Sequence, residues 1–206
     1  LEVKLLACTG LAEGTPPVPG CTEADSVIIY AVSQCYQAKP QPGMIRNCFE
    51  RGHHSVFEHV HFSFAVHGIS RACLAQLTRH RLASYTVESQ RYCDYTKKPA
   101  GFVWPDTIEG GTAKKYRALL EQAMTCYHEL RAAGVPPEDA RFVLPQATAV
   151  NLVFTMNARE LFHCFDLRLD RHAQWEIRRL FARVLQLVRE RAPLTFAAYA
   201  DRKEEL

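Results

Sequence analysis

The stretch Val60-His61-Phe62-Ser63-Phe64-Ala65-Val66-His67 alternates apolar Val60, Phe62, Phe64 and Val66 with His61, Ser63, Ala65 and His67. Successive side chains of an extended chain point to opposite faces, so this period of two predicts a half-buried strand with an unusually polar second face. Toward the N-terminus, Val3 to Cys8 is a short apolar run of strand length, and Gly10, Gly14, Pro16, Pro17, Pro19 and Gly20 after it predict a loop. Asp25 is placed to cap a helix carrying Val27, Ile28, Tyr30, Ala31 and Cys35, and Met44 to Glu50 fits a second short helix after Pro40 and Pro42.

On the other side, Ser70 to Thr78 reads as a helix leading directly into Arg79-His80-Arg81. The clearest helix spans Gly111 to Gly134, with Tyr116, Leu119, Leu120, Ala123, Met124, Tyr127 and Leu130 on one stripe and Gly134 as its C-cap. Pro136 opens a short helix through Arg141, and Ala147 to Met156, rich in Val, Thr and Phe, predicts a strand. Asn157 is placed to cap a helix through Leu167, and His172 to Ala192 forms a last amphipathic helix on Ile177, Leu180, Phe181, Val184 and Val188. Strands mixed with helices, without a regular βα repeat, predict an α/β (α+β) fold rather than a doubly wound one. A chain of 206 residues suits a single domain, residues 1–206.

Apolar residues at 48% and charged residues at 23% are ordinary for a globular protein and exclude a disordered or coiled-coil chain. A net charge of +3 suits a local basic pocket better than a large nucleic-acid footprint. The eight cysteines at 8, 21, 35, 48, 73, 93, 126 and 164 contain no C-x-x-C pair, so they read as reduced and mostly buried, in a cytoplasmic protein. No run of eighteen apolar residues predicts a membrane span, and Leu1-Glu2-Val3-Lys4 lacks the apolar core of a signal peptide.

The segment from Arg79 to Arg91, Arg-His-Arg-Leu-Ala-Ser-Tyr-Thr-Val-Glu-Ser-Gln-Arg, concentrates three arginines, a histidine and two serines. Arginine offers a planar fork of donors that matches phosphate oxygens, and serine hydroxyls add short neutral bonds, so the cluster predicts a phosphate-bearing ligand. The competing reading is a solvated basic turn paired with acidic neighbours. A nucleic-acid module using Arg71, Arg79, Arg81 and Arg91, with Tyr85 and Tyr92 as stacking platforms, is a further alternative that the modest net charge argues against.

Arg-His-Arg followed after seven residues by Ser89, with Ser-Gln-Arg-Tyr at 89 to 92, resembles the signature of the flavin-dependent thymidylate synthases. The resemblance continues in Gly52-His53, Phe57-Glu58-His59, the run Ala140 to Pro145, Asn157-Ala158-Arg159, Leu167-Arg168 and the run His172 to Glu176. These blocks follow the family's order over roughly residues 50 to 180. The resemblance implies a central mixed or antiparallel sheet flanked by helices. It implies a homotetramer whose active sites lie at subunit interfaces, with no nucleic-acid or membrane partner. It implies reductive methylation of dUMP to dTMP, with 5,10-methylenetetrahydrofolate as carbon donor, NADPH as reductant and FAD as the bound cofactor.

Carried over by position, the resemblance assigns FAD contacts to His53, Ser55, Arg79, His80, Arg81, Val87, Asn157, Ala158, Arg159 and His163. It assigns dUMP to Gln76, Leu77, Thr78, Arg79, Ser89, Gln90, Arg91, Arg141 and Arg168, the 87 to 91 stretch serving a neighbour's site. Val87 stands where some relatives carry an acidic residue, so backbone contact alone is expected there, and His163 stands where some carry Asn. Arg168 is the candidate for catalysis, because a permanent cation beside the uracil stabilises negative charge developing on the ring. Alone, Arg168 reads equally as a helix C-terminal arginine in a surface ion pair. Ser89 lacks a base at an activating spacing and is assigned to binding. Cys73 and Cys93 read as buried small hydrophobes rather than nucleophiles, and Phe162, Phe165 and Trp175 as core. His53, His54, His59 and His61 are the best metal candidates, but their spacing matches no zinc motif and no metal is expected. A homologue that binds flavin without catalysing the reaction remains an alternative.

Overall fold

Alternation of apolar and polar residues builds four strands, β1 (Glu2–Cys8), β2 (His61–Ser70), β3 (Ala83–Val87) and β4 (Ala149–Asn157), in one sheet of order β1-β2-β4-β3. The computed structural model describes residues 1–204, so the last two residues of the expected domain, Glu205 and Leu206, lie outside the described residues. The register is antiparallel. Ser63 Oγ meets Thr155 Oγ1 at 2.8 Å, while further along β2 the Gly68 N–H donates to Asn151 Oδ1 at 3.2 Å, so numbers rise on β2 as they fall on β4. The sheet with helices about it is the α/β (α+β) architecture expected from the sequence.

The strand beginning near Val60 runs longer than its alternation predicts, to Ser70, with Phe62, Phe64, Val66 and Ile69 buried. β3 was not expected, although Ala83, Tyr85 and Val87 alternate with more exposed Ser84 and Thr86. Its signal is embedded in a charged motif and draws attention away from periodicity.

The helices are α1 (Glu23–Tyr36), α2 (Gly43–Glu50), α3 (Arg71–Leu77), α4 (Gly110–Ala132), α5 (Pro137–Ala140), α6 (Ala158–Arg168), α7 (Trp175–Arg191) and α8 (Pro193–Glu204), with 3-10 turns at His54–His59 and Arg141–Val143. The cap of α1 is Thr22, not Asp25: its hydroxyl accepts the Asp25 N–H at 3.2 Å. Asp25 is fully buried and instead accepts the N–H groups of Leu194 and Thr195, each at 3.1 Å, and the Thr195 hydroxyl at 2.7 Å. Those donors belong to the first turn of α8, a helix the sequence reading missed by stopping at Pro193. Proline fits a first helical position because the N–H it lacks has no partner there anyway.

α7 starts at Trp175 rather than His172 because Gln174 Oε1 accepts the N–H groups of Glu176 and Ile177 at 2.9 and 3.2 Å. Its expected stripe of Ile177, Leu180, Phe181, Val184 and Val188 is buried throughout. On α4 the expected stripe narrows to fully buried Leu120 and Tyr127, with Leu119 exposed. Leu119 lies off the line Leu120–Met124–Tyr127, whose spacing of four and then three residues keeps it on one face.

The chain divides into two compact units. The first comprises Leu1–Glu2, Val66–Arg79 and Thr86–Leu152, and holds a small core of Tyr95, Tyr127 and Ala140. The second comprises Val3–Ala65, His80–Tyr85 and Val153–Leu206, with a large aromatic core. There Phe162 packs edge-on to Phe49 and Phe57 and stacks on Tyr199, with ring centroids 5.1, 5.2 and 5.6 Å away. Phe162 and Phe165 are core as expected, but Trp175 is half-buried beneath the Arg179 guanidinium, 5.0 Å from its ring centre.

All eight cysteines are free thiols, but only Cys48, Cys73 and Cys164 are buried, and Cys35 is exposed. The expectation that most are buried is corrected: Cys8, Cys21, Cys93 and Cys126 are half-buried. Among the described residues, no helix is long and apolar enough to cross a membrane.

Candidate functional site

In the second unit, the end of β4 sets the geometry. Asn157 leaves the strand in an extended conformation, and its side-chain oxygen accepts the Glu160 N–H at 2.9 Å, capping α6. The cap fixes the phase of the helix, so Glu160 and Cys164 face inward, Arg159 and His163 face outward, and Arg168 falls in the last turn. His80, only 3% exposed, lies against this helix.

The His80 imidazole is held from two sides. Arg168 Nε–H donates to His80 Nε2 at 2.9 Å, so Nε2 carries no proton and the hydrogen sits on Nδ1, 3.5 Å from Glu160 Oε1. That second contact is an ion pair only if the ring is charged. Burial foremost, then the neighbouring Arg168 cation and His163, hold the His80 pKa down to about 4, so the ring is neutral near pH 7 and the contact is a weak polar one. Burial likewise pushes the Glu160 carboxyl above its usual value. The Tyr85 hydroxyl donates to the His80 carbonyl at 2.8 Å, and the His163 ring lies edge-on at 5.8 Å. Arg168 is thus joined to the Arg-His-Arg motif through the central residue of the triplet.

His80, Glu160 and His163 also bring one possible metal-ligating atom each within 4.8 Å of one another. The nearby Arg168 cation opposes a metal ion, and His80 Nε2 is already committed to Arg168. The group is not the quartet His53, His54, His59 and His61 weighed from the sequence. His54 Nε2 meets the Phe49 carbonyl at 3.2 Å within the aromatic core instead.

A second feature of the same unit is a cavity of about 330 Å³ lined by Tyr36, Gly52, His53, Ser55 and Arg159, among others. Gly52, with φ of 75°, takes the left-handed conformation that glycine tolerates and turns the chain out of α2 toward His53. His53 stacks near-parallel on Tyr36, with an interplanar angle of 16°, and bonds to its hydroxyl. Arg159 pairs with Glu58 at an exposed site. A stacked aromatic pair, a hydroxyl and a guanidinium around one cavity suit a flat ring system with an anionic tail. A different cavity of about 320 Å³, beside Cys8, Thr9, Glu23 and Arg191, holds none of the expected site residues.

In the first unit, α3 presents Gln76 and buried Leu77, then ends at Thr78, whose hydroxyl bonds the Leu74 carbonyl at 3.1 Å. Arg79 follows and is exposed. Beyond β3, the Ser89 carbonyl accepts the N–H groups of Tyr92 and Cys93 at 3.2 and 2.9 Å, and the Ser89 hydroxyl accepts the Arg91 N–H at 3.3 Å. Arg91 and Arg141 converge on Glu138: Arg91 Nε on its carboxylate and Arg141 Nε on its carbonyl, both at 2.9 Å. Arg91 and Arg141, fifty positions apart in sequence, therefore meet at Glu138, and the Ser89 hydroxyl holds the Arg91 backbone.

A family model described as Thymidylate synthase complementing protein matches residues 19–194. A protein of Haloarcula marismortui named flavin-dependent thymidylate synthase is 38% identical over 182 residues, covering 76% of this chain and 74% of that protein. The chain belongs to the flavin-dependent thymidylate synthase family. Relatives of the same name include one from Geobacter sulfurreducens, 47% identical over 151 residues, 70% of this chain and 63% of the relative. Another, from Nitratidesulfovibrio vulgaris, is 38% identical over 208 positions, 88% of this chain and 84% of the relative.

Set against this family, the expected residues divide between the two units. His53, Ser55 and Arg159 meet at the second unit's cavity, with Asn157, Ala158, His163, His80, Arg81 and Arg168 on or against α6 and the chain entering β3. Gln76, Leu77, Thr78, Arg79, Val87, Ser89, Gln90, Arg91 and Arg141 belong to the first unit. The nucleic-acid alternative loses ground: Tyr85 is half-buried with its hydroxyl bonded to His80, and Arg71 donates to the Glu88 carbonyl at 2.9 Å. The sequence reading missed the acids Glu58, Glu138 and Glu160 that hold the arginines and His80. Glu160 alone had a local signal, three residues after an N-cap Asn.

Proposed function

We propose that this protein is a flavin-dependent thymidylate synthase that methylates dUMP to dTMP, taking the carbon from 5,10-methylenetetrahydrofolate and releasing tetrahydrofolate. FAD, reduced by NADPH, supplies when bound the hydride that completes the methyl group, which no ordinary side chain supplies. Membership of the family supports the reading, and the donor set fits the cofactor: a stacked aromatic pair with Ser55 and Arg159 around a cavity of about 330 Å³. His53, Ser55, Asn157, Ala158, Arg159 and His163 hold the flavin in this reading, with exposed Arg81 toward its phosphates; Arg79 is likewise assigned to flavin, and Val87, in the stretch that serves a neighbour's site, contributes backbone alone.

The observation that carries the chemistry is the seating of Arg168 on a neutral His80. The bond to the His80 ring aims the guanidinium. So aimed, Arg168 stabilises negative charge developing on the uracil while its carbon attacks the one-carbon donor. His80 serves the site as the support of that cation.

The patch at Ser89, Gln90, Arg91 and Arg141 takes the dUMP phosphate, with Gln76, Leu77, Thr78 and Arg79 beside the nucleotide. Arg91 pairs with Glu138 at an exposed site, where such pairs contribute about 0–1 kcal/mol, so a doubly charged phosphate displaces the carboxylate readily. The chain acts as one domain, residues 1–206, a reading supported by β2, β3 and β4 each contributing residues to both units. It assembles as a homotetramer with sites shared between subunits, in the cytoplasm, where eight free thiols persist. The test is tritium release from 5-tritiated dUMP with methylenetetrahydrofolate and NADPH, on protein whose flavin absorbs near ~450 nm. Turnover that requires both co-substrates supports the reading, and protein that takes up neither FAD nor dUMP overturns it.

A further inference from the structure

Glu88 stands immediately before Ser89, inside the 87 to 91 stretch but with no contact of its own assigned in the reading above, and both its backbone and its carboxylate are held. Its N–H donates to the Asn151 carbonyl at 2.9 Å, and its own carbonyl accepts from Arg71 Nη2 at 2.9 Å. The carboxylate is divided between two further partners: Oε1 accepts the Tyr95 hydroxyl at 3.2 Å and Oε2 accepts the Asn151 amide at 2.7 Å. Both partners are themselves anchored. Asn151 Oδ1 accepts the Gly68 N–H at 3.2 Å, and Tyr95 is buried in the small core, its N–H on the Tyr127 hydroxyl at 3.4 Å. Burial foremost, and then the Glu88 charge, raise the Tyr95 pKa, so its hydroxyl keeps the proton it donates.

We infer that Glu88 is a positioning residue for nucleotide binding, its carboxylate clamp between Tyr95 and Asn151 fixing the chain from which Ser89, Gln90 and Arg91 reach the dUMP phosphate. The inference rests on the assignment of Ser89 to Arg91 to dUMP. The segment beyond Glu88 is a turn closed by local bonds to the Ser89 carbonyl and hydroxyl, with Arg91 exposed. Such a turn keeps its internal shape but not its direction, and the clamp supplies the direction. Without it, bound nucleotide must order the segment itself, at a cost in backbone conformational entropy. That cost falls on ground state and transition state alike, so it raises KM and leaves kcat in place.

The experiment measures steady-state kinetics and calorimetric dUMP binding on the FAD-loaded enzyme for the parent, Glu88→Ala, Glu88→Gln and Tyr95→Phe. Glu88→Ala is expected to raise the dUMP KM and Kd about 10- to 100-fold with kcat within about threefold. Glu88→Gln keeps an oxygen for Asn151 and turns an amide toward Tyr95, whose hydroxyl also accepts, so it returns KM to within about fivefold of the parent. Tyr95→Phe, which removes the hydroxyl's bonds to Glu88 and Arg71 but little volume, is expected to raise KM about 3- to 10-fold and stands in if Glu88→Ala fails to fold. Unchanged KM in both Glu88→Ala and Tyr95→Phe, or a fall in kcat matching the rise in KM, overturns the inference while leaving the assignment of the patch intact. A parent that binds no dUMP overturns that assignment, and the inference with it.

Discussion

Replacing His80 with alanine removes the acceptor for the Arg168 Nε–H bond, 2.9 Å long, and the neighbour of Glu160 at 3.5 Å. A hydrogen bond to a charged group contributes about 1.5–3 kcal/mol net. If that energy aims the guanidinium in the transition state, kcat falls roughly 10- to 150-fold, since 1.36 kcal/mol is a factor of ten. The buried ring also leaves a void, with a stability loss of a few kcal/mol expected for such large-to-small changes. The assay must therefore separate chemistry from folding: tritium release per bound flavin, on protein whose folded fraction is checked by circular dichroism. Glutamine places an amide oxygen near the position of Nε2, so His80→Gln is expected to regain most of the lost kcat. The reasoning is refuted if His80→Ala, with flavin content equal to the parent, keeps kcat within twofold.

Two further predictions concern stability. The His80 pKa is lowered from 6.5 to about 4 in the fold, so the unfolded chain binds its proton first, and stability that is full above pH 6.5 declines as pH falls toward about 4. The loss between pH 7 and 4.5 amounts to roughly 2.5 kcal/mol, read from urea melts at those two pH values as the part absent in His80→Gln; equal losses in parent and variant contradict it. Asp25→Ala leaves the Leu194 and Thr195 N–H groups without their acceptor at the start of α8, and each buried unpaired donor costs about 1–3 kcal/mol. A urea midpoint displaced by less than 0.5 kcal/mol equivalent would show that α8 does not depend on that cap.

How far the sequence could be read depended on whether the signal was local. β2 was visible in Phe62, Phe64 and Val66, and α7 in five apolar residues at helical spacing, because burial of one face imposes a period on neighbouring positions. Asn157 was identified as a cap from its place between a strand and a helix, and the structure confirms its bond to Glu160. β3 was missed because the charges around Ala83–Val87 obscured a period of two. α8 was missed because Pro193 reads as a break as easily as a first turn. Asp25 stands where a cap for its own helix is expected, whereas its partners lie 169 and 170 positions away, a separation at which no local pattern points to them. The same limit applied to the site. The resemblance named Arg168 and His80 separately, but the bond that joins them, 88 positions apart, required coordinates. So did the acids that hold the arginines, since Glu58 and Glu138 are spaced from Arg159 and Arg91 by 101 and 47 residues.

The central claim is that a cation at position 168 drives the chemical step. The most direct measurement compares Arg168→Ala with the parent for tritium release from 5-tritiated dUMP in the presence of methylenetetrahydrofolate and NADPH, with flavin content and oligomeric state determined on the same samples. Losing a preorganised cation at developing charge costs about 100- to 1,000-fold. The account predicts a loss of that size with flavin and assembly retained; release within twofold of the parent would contradict it.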